Sequence, residues 1–409
     1  MSVELTKMAG GVAAAGFRVA GVRCGIKRKR RDICLLVSET NAAVSAAGVF
    51  TTNVVRAPCV DWSESRLAQS GTATAIVVNA GNANAGNGDR GETDNAQMAQ
   101  WAADALGVPV ETVLTASTGV IGTPLPMALI AAGIKDAAAR LVHSPEAASE
   151  AAEAIMTTDT FTKEYAVRFV LPSGTAVTIG GMSKGSGMIA PNMATMLGFV
   201  TTDATIAPNV LRTALVEAVA ESFNCLTVDG DTSTNDSCIV MASGMAENPP
   251  IDRADTADYC AFADALTHVC VHLAKEIARD GEGATKLVTV RVSGAASVTD
   301  ARKIAKTIAE SPLVKTALFG NDPNWGRILA AAGRAGVRFD PKQTTAYLAG
   351  VCIFAHGSPT VFDAPALSQA MKVKELTIHV DIGAGDAEAH FYTCDFSYDY
   401  IRINAEYHT

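Results

Sequence analysis

The sequence predicts an α/β or α+β fold in which helices and sheets form layers. Segments typical of strands and of helices follow one another irregularly along the 409 residues. We find no repeated strand–helix–strand unit and no glycine-rich dinucleotide fingerprint, so a doubly wound sheet is disfavoured. The chain is too long for one simple core, which favours two large halves.

The first half is predicted to begin with short strands and turns and to continue with alternating strands and alanine-rich helices. The basic cluster Lys27–Arg31 lies between two strands, bracketed by Gly25 and Asp32. We therefore expect a solvated hairpin turn there rather than a nucleic-acid patch. The predicted strands are Ile33–Ser38, Ala47–Thr51, Thr74–Val78, Val167–Leu171 and Thr175–Ile179, and the predicted helices are Asp94–Leu106, Leu125–Leu141 and Pro145–Met156.

The second half is predicted to contain long amphipathic helices followed by long strands. The last strand pattern runs almost to the final residue, which is unusual because chain ends commonly fray. The predicted helices are Pro208–Asn224, Asp255–Ala278 and Asp300–Glu310, and the predicted strands are Lys286–Val292, Glu375–Ile382 and Ala387–Asn404.

The composition is that of an acidic globular protein. The formal net charge is −9 and 48% of the residues are hydrophobic. The negative charge argues against nucleic-acid binding as the main task. The apolar runs are shorter than the roughly 18 residues of a membrane helix, and the N-terminal residues lack the apolar segment of a signal peptide. We expect a cytoplasmic protein with neither a nucleic-acid nor a membrane partner.

Cysteine and histidine spacing gives no metal signature. The nine cysteines include no C-x-x-C pair and are expected to be reduced. His268 and His272 lack the glutamate of a zincin motif and are expected on an amphipathic helix. The acidic stretch Thr227–Asp236 resembles a calcium loop, but its glycine position and missing closing glutamate do not fit an EF-hand. We predict no metal and no cofactor.

The stretch Lys184–Thr202 lies near the middle of the sequence and changes character along its length. Gly185, Gly187 and Pro191 exclude a continuous helix. Thr195 then stands as a lone hydroxyl at the start of an apolar run that is typical of a buried strand. A polar group in this place suggests either a satisfied strand threonine or a chemical task.

One chemical task fits Thr195. Cutting the Ala194–Thr195 bond would make Thr195 an N-terminus whose α-amine has a reference pKa of about 7.7–8.0. That amine can take the proton of its own side-chain hydroxyl, so no histidine or aspartate partner is needed. The residue types alone leave this interpretation and the strand threonine both open.

The run Lys184–Leu197 resembles the signature of the ornithine acetyltransferase family, the ArgJ-type glutamate N-acetyltransferases of arginine synthesis. The resemblance extends over nearly the whole chain. It implies a layered α/β sandwich of the ArgJ/DmpA type and a self-cleaving N-terminal-nucleophile enzyme. The expected fragments are residues 1–194 and 195–409, associating as an α2β2 heterotetramer. Further matching segments are Asn79–Asn84, Thr157–Thr160, Asp229–Asp236, Phe319–Arg327 and the C-terminal residues.

The resemblance also implies the roles of individual residues. Cleavage falls between Ala194 and Thr195, and Thr195 is the nucleophile. The oxyanion hole is assigned to Thr118 and Gly119. The residue types alone favour a turn at Thr118, a helix terminus at Thr158 and a solvated turn at Glu282, and they leave a pocket-shaping or a structural role for Asn321–Arg327. The implied substrate-binding residues are Thr158, Lys184, Thr195, Glu282, Asn404 and Thr409.

The activity that the resemblance implies is transfer of an acetyl group from N2-acetyl-L-ornithine to L-glutamate through an acetyl-threonine intermediate. Acetyl-CoA is a second donor in bifunctional members of the family. A self-processing amidase or aminopeptidase would use the same nucleophile and release the acyl group to water. A non-catalytic amino-acid-binding protein is the third alternative.

Overall fold

The computed structural model describes residues 4–12, 14–190 and 196–406, and these residues form three sheets with helices around them. The strands are β1 Thr6–Met8, β2 Phe17–Val22, β3 Ile33–Ser38, β4 Val44–Phe50, β5 Thr72–Ala73, β6 Ala75–Asn82, β7 Val113–Val120, β8 Lys163–Val170, β9 Ala176–Lys184, β10 Leu197–Thr202, β11 Ser237–Ala242, β12 Leu287–Ala295, β13 Thr345–Leu348, β14 Val351–Ala355, β15 Ser358–Pro359, β16 Glu375–Asp381 and β17 Ala387–Cys394. The helices are α1 Pro58–Ser70, α2 Gly88–Leu106, α3 Met127–Ala139, α4 Pro145–Ala154, α5 Pro208–Glu221, α6 Ala257–Arg279, α7 Val298–Ala309, α8 Pro312–Phe319, α9 Trp325–Gly333, α10 Ala364–Ala370 and α11 Tyr398–Glu406.

Two of the sheets stack face to face. The central sheet has the strand order β1-β8-β9-β10-β11-β4-β5, and the smaller one has the order β2-β3-β6-β7. Side chains from both sheets fill the space between them, including Phe17, Ile76, Phe199 and Met241, and α1 and α4 contribute to this core. Helices α2 and α3 cover the outer face of the smaller sheet, and α5 and α6 cover the outer face of the central sheet. The resulting α-β-β-α arrangement confirms the predicted layered sandwich.

The third sheet has the order β15-β14-β13-β16-β12-β17. Its apolar face carries Val290 and Ile378 and packs on α7, α8 and α9. Leu287 and Tyr392, from β12 and β17, belong instead to the core around α6. Helix α6 therefore joins this sheet to the sandwich.

The central sheet combines strands from both sides of position 194. Strand β10 pairs antiparallel with β9, where Leu197 lies opposite Lys184, and parallel with β11, where it lies opposite Ser237. Strands β1, β4, β5, β8 and β9 precede position 194, whereas β10 and β11 follow it. The two predicted fragments therefore share one hydrogen-bonded sheet and are not separate folding units.

The predicted strand Ala387–Asn404 is wrong over its second part. Strand β17 ends at Cys394, and residues 398–406 form helix α11. The buried carboxylate of Asp395 ends the strand by accepting the backbone N–H groups of Thr285 at 2.8 Å and Lys286 at 3.0 Å. Helix α11 buries no residue, so no core contact stabilises it.

The basic segment Lys27–Arg31 connects β2 to β3, as predicted for a hairpin, but it is not simply solvated. The Lys27 ammonium donates to the Met156 carbonyl at 2.8 Å, and Arg31 pairs with Glu153 at 2.5 Å. The buried Asp32 carboxylate accepts backbone N–H groups from within the loop, including that of Lys27 at 3.0 Å. The loop is therefore anchored to the segment after α4.

Other sequence-based expectations concern cysteines, histidines and metals. All nine cysteines are unpaired. His268 and His272 lie on α6 as predicted, and His272 stacks on Tyr165 with ring centroids 3.8 Å apart. Among the described residues, no cluster of three or more histidine, cysteine, aspartate or glutamate side chains could hold a metal ion, and no helix is long and apolar enough to cross a membrane.

Candidate active site

An open cleft lies where the ends of β7 and β9 meet the loops before β11 and β12. Ala194, Thr195 and Thr409 were also predicted for the site, but they lie outside the described residues. Every predicted site residue that the structure describes lines this cleft: Thr118, Gly119, Thr158, Lys184, Glu282 and Asn404.

One side of the cleft is formed by the end of β7, which runs parallel to β6. Gly119 adopts a φ of +135°, and a Cβ there would lie 2.3 Å from the carbonyl carbon of Gly81. Only glycine fits this close approach of the two strands. The Thr118 hydroxyl accepts a hydrogen bond from the Lys184 ammonium at 3.3 Å. Because the ammonium can only donate, the hydroxyl proton of Thr118 is left to donate into the cleft.

Asn235 fixes the end of β7 from the neighbouring loop. Its side-chain amide donates to the Ser117 carbonyl at 2.9 Å and to the Ala83 carbonyl at 2.6 Å. Ser117 in turn donates to Asn79 at 2.6 Å. The acidic stretch Thr227–Asp236 therefore ends in a packed loop at the cleft.

A buried ion cluster of Asp159, Lys163 and Asp280 supports the cleft from behind. The Lys163 ammonium lies 2.6 Å from the Asp159 carboxylate and 2.5 Å from that of Asp280, and these side chains are almost fully buried. Asp159 also accepts the backbone N–H of Gly185 at 2.7 Å. Burial alone would raise the pKa of Asp159, but the Lys163 and Lys184 ammonium groups outweigh it and hold that pKa below its usual value.

Lys184 and Asp236 are the other buried charged groups of the cleft. Burial lowers the pKa of Lys184, and the carboxylates of Asp159, Asp236 and Glu282 only partly offset this. Burial also raises the pKa of Asp236 well above its usual value, with Lys184 acting in the opposite direction. One carboxyl oxygen of Asp236 has no hydrogen-bond partner among the described residues.

The opposite side of the cleft is formed by a glycine-flanked turn and the C-terminal helix α11. Asn404 donates to the Glu282 carboxylate at 2.8 Å. A Cβ at Gly187 would lie 2.4 Å from that carboxylate, and a Cβ at Gly283 would lie 2.5 Å from the backbone nitrogen of Tyr400. The absence of side chains at these two glycines lets Glu282 and α11 approach the cleft.

Comparison with known proteins shows the family of this chain. The model of the ArgJ family matches residues 18–409. The chain belongs to the ArgJ family. "Arginine biosynthesis bifunctional protein ArgJ" of Symbiobacterium thermophilum is 53% identical over 406 residues, covering 98% of this chain and 99% of that protein. The protein of the same name from Listeria monocytogenes serotype 4b is 46% identical over the full length of both chains.

A solved structure supports the fold of this ArgJ-family chain. The crystal structure of arginine biosynthesis bifunctional protein ArgJ from Bacillus halodurans matches with a TM-score of 0.50 and 44% sequence identity. The match covers 51% of this chain and 98% of the crystallised chain. The crystallised chain thus corresponds to about half of the present sequence.

One ArgJ-like motif lies away from the cleft. Residues 319–327 contribute nothing to the cleft lining. Asn324 caps α9 by accepting the backbone N–H of Arg327 at 3.1 Å, and Trp325 stacks on Phe354 with ring centroids 5.7 Å apart. The structure therefore supports the structural alternative for Asn321–Arg327 rather than a pocket-shaping role.

Sequence reasoning missed the ion cluster and the roles of Asn235 and Asp236. Lys163 and Asp280 are 117 positions apart, so no local spacing reveals their contact. Asp236 lies in the acidic stretch that resembles a calcium loop. Its side chain is buried, whereas the carboxylates of a surface calcium loop would be expected to contact solvent. Only the three-dimensional structure provides this signal.

Proposed function

We propose that this ArgJ-family chain is a glutamate N-acetyltransferase that moves an acetyl group from N2-acetyl-L-ornithine to L-glutamate in arginine biosynthesis. The observation that carries the proposal is the cleft itself. It combines a hydroxyl and a backbone segment suited to an oxyanion, at Thr118 and Gly119, with buried groups of both charges, at Lys184 and Glu282. The names of the full-length relatives support arginine biosynthesis as the setting.

In the first half-reaction, the Thr195 hydroxyl attacks the acetyl carbonyl carbon and its proton passes to the α-amine of the same residue. The negative charge that develops on the acetyl oxygen is stabilised by the Thr118 hydroxyl and the Gly119 N–H. The carbon–nitrogen bond then breaks, and the proton held by the α-amine goes to the departing α-amine of ornithine. An acetyl-Thr195 ester remains.

In the second half-reaction, the neutral α-amine of glutamate attacks the same ester carbonyl. The oxyanion is held as before, the ester bond breaks, and the Thr195 oxygen recovers its proton through its α-amine. The product is N-acetylglutamate. Because donor and acceptor use one site in turn, the kinetics are expected to be ping-pong.

The charged ends of the two substrates determine the remaining roles. Ornithine carries an ammonium group at the end of its side chain, and both substrates carry carboxylates. We assign ammonium binding to the Glu282 carboxylate, assisted by Asn404, and carboxylate binding to Lys184. Thr158 and Thr409 complete the proposed substrate-binding set, of which Thr158 lines the cleft.

Self-cleavage between Ala194 and Thr195 is part of the same proposal. The ladders that join β10 to β9 and β11 to β4 would hold residues 1–194 and 195–409 together without a covalent link. The half-length chain of the Bacillus halodurans crystal structure is consistent with two fragments. Denaturing electrophoresis with N-terminal sequencing tests this, and Thr195→Ala is expected to give one uncut, inactive chain.

The test of the activity is incubation with N2-acetylornithine in the presence and absence of glutamate. We expect N-acetylglutamate and free ornithine only when glutamate is present, beyond the single turnover that acetylates the enzyme. Steady release of acetate without glutamate would instead indicate the amidase. No release of ornithine under either condition would contradict the proposed function and favour a binding protein.

We further propose that acetyl-CoA acts as a second acetyl donor; the relatives are named bifunctional, which is consistent with a second activity of some kind. We also propose that the protein is cytoplasmic and that it assembles from two copies of each fragment. Light scattering of the cleaved protein tests the α2β2 assembly. Formation of N-acetylglutamate from acetyl-CoA and glutamate alone tests the second donor.

A further inference from the structure

The loop Lys27–Arg31 carries positive charge that the proposed acetyl transfer from ornithine does not use. Within the described part of the chain, Arg31 is the loop's one residue in an ion pair, with Glu150 and Glu153. The four preceding residues, Lys27 to Arg30, are all cationic. In a protein of net charge −9, this is a marked local excess of positive charge.

The loop contacts the segment that forms one edge of the cleft. Lys27 donates to the Met156 carbonyl at 2.8 Å, and Arg30 donates to the Asp159 carbonyl at 2.5 Å. The two residues between these anchors, Thr157 and Thr158, line the cleft. The cationic loop therefore lies directly behind the chain segment that carries Thr158, the proposed substrate-binding threonine.

The same loop also contacts the strand behind the proposed oxyanion hole. A Cβ at Gly81 would lie 2.9 Å from the Ile26 side chain and 3.0 Å from the Cγ atom of Lys27. Gly81 is the strand partner of Gly119. The absence of a side chain at Gly81 thus lets the loop pack behind the ends of β6 and β7, so it lies behind the cleft lining at two places.

The loop is held in place although its charged tips are exposed. The Asp32 carboxylate accepts the backbone N–H groups of Cys24 at 2.6 Å, Gly25 at 3.0 Å and Lys27 at 3.0 Å. Arg28 and Lys29, in contrast, are solvent-exposed. The nearby carboxylates Glu150, Glu153 and Asp136 are paired with Arg31 and Arg140. A fixed backbone with unpaired cations can bind an anion at a low cost in conformational entropy.

We infer that this loop binds the phosphate groups of a coenzyme A thioester whose acetyl group reaches the cleft. Acetylornithine and glutamate are small, and Lys184 already supplies a cation for their carboxylates inside the cleft. Cations outside the cleft instead suit a donor whose anionic groups lie far from its acyl carbon. A coenzyme A thioester has this form, with a long neutral arm between the acetyl group and the phosphates. The inference rests on the second donor of the proposed function.

The transfer from this donor uses the chemistry already described. The Thr195 oxygen forms a bond to the acetyl carbon, and the carbon–sulfur bond breaks. The hydroxyl proton passes through the α-amine to the sulfur, so free coenzyme A thiol leaves. No oxidant or reductant takes part, and the loop acts on binding alone.

The test is the double variant Arg28→Ala/Lys29→Ala, which removes two exposed cations of the loop. Its matched control is Arg334→Ala/Arg338→Ala, which removes two exposed arginines that do not line the cleft. For the loop variant, we expect the KM for acetyl-CoA and the Kd of coenzyme A to rise about tenfold, because charge-assisted phosphate contacts are lost. The control variant is expected to retain the wild-type values.

A second measurement separates this inference from the proposed function. Exchange between N2-acetylornithine and glutamate involves no phosphate, so its kcat and KM should be unchanged in the loop variant. Equal coenzyme A affinity in the loop variant and the wild type would overturn the inference, as would an absence of coenzyme A binding to the wild type. Loss of the exchange reaction in the wild type, with coenzyme A binding intact, would instead contradict the proposed function alone.

Discussion

The two sides of the cleft are built in different ways. The side that we call the strand wall consists of Thr118 and Gly119 on β7 and Lys184 on β9, strands of the two stacked sheets, and the buried Asp159–Lys163–Asp280 cluster supports it. The helix wall consists of Glu282 and Asn404, and the latter lies on α11, a helix that buries no residue. The strand wall faces the proposed acyl chemistry and also carries Lys184, the proposed partner of the substrate carboxylate, whereas the helix wall faces the proposed ammonium end of ornithine.

This difference has a physical basis. Stabilising a developing oxyanion requires donors that are already in position, because reorganisation during the reaction would cost free energy. Holding the ends of an amino acid requires only hydrogen bonds, each worth about 1 kcal/mol. We therefore expect substitutions in the strand wall to affect folding or kcat strongly, and substitutions in the helix wall to affect mainly KM.

The largest effect is expected from Lys163→Met, which leaves two buried carboxylates without their cation. Such a loss typically lowers the free energy of unfolding by about 3–5 kcal/mol. The matched control is Lys306→Met, which removes a more exposed pair of the same i, i+4 spacing, with Glu310. That change should cost less than about 1 kcal/mol. Similar urea midpoints for the two variants would show that the buried cluster does not stabilise the strand wall.

Thr118→Ala is expected to lower kcat about 10²–10³-fold, or roughly 2.7–4 kcal/mol, with little change in KM. Thr118→Ser should be milder because the hydroxyl remains. Thr123→Ala, a change at an exposed threonine of the loop that follows β7, serves as the control. Steady-state kinetics on fully cleaved enzyme give the comparison. A change in KM alone would make Thr118 a binding residue and refute its oxyanion role.

Asn404→Ala is expected to raise the KM for acetylornithine about fivefold, the equivalent of one hydrogen bond of about 1 kcal/mol, and to leave kcat nearly unchanged. Stability should not change because α11 contributes no buried residue. Ile401→Ala, at an exposed position of the same helix, is the control. A fall in kcat as large as that of Thr118→Ala would remove the distinction between the two walls.

The smallest effect concerns pH. Burial lowers the pKa of Lys184 from its usual value near 10.5, so its charge is lost at a lower pH than for an exposed lysine. We therefore expect kcat/KM to fall as pH rises through this lowered pKa. Lys184→Arg keeps its charge at high pH and should lose this alkaline fall. If kcat/KM of the arginine variant fell at high pH as it does in the wild type, a group other than Lys184 would be responsible for the fall.

The accuracy of the sequence-based predictions depended on burial. Strand β3 has its predicted bounds, and helix α6 differs from prediction by two residues at its start and one at its end. The buried residues Phe262, Leu266, Val269 and Leu273 of α6 recur at helical spacing. Helix α11 buries no residue, and apolar and polar residues alternate from Phe396 to Tyr400 as they do in a strand.

The candidate site could be predicted only through the resemblance to the family. Residue types alone favoured turns or a helix terminus at Thr118, Thr158 and Glu282, because a hydroxyl or a carboxylate in a loop usually contacts solvent. The structure brings these residues to one cleft from distant parts of the chain. The contacts that support them, such as that between Lys163 and Asp280, join residues with no sequence relation and could not be predicted.

The most direct test of the central proposal is intact mass spectrometry of the purified protein before and after addition of N2-acetylornithine. Before addition, we expect two species corresponding to residues 1–194 and 195–409. After addition without glutamate, the fragment that begins at Thr195 should gain one acetyl group, and glutamate should then remove it. A single full-length chain that never gains an acetyl group, yet forms N-acetylglutamate at the normal rate, would contradict the account.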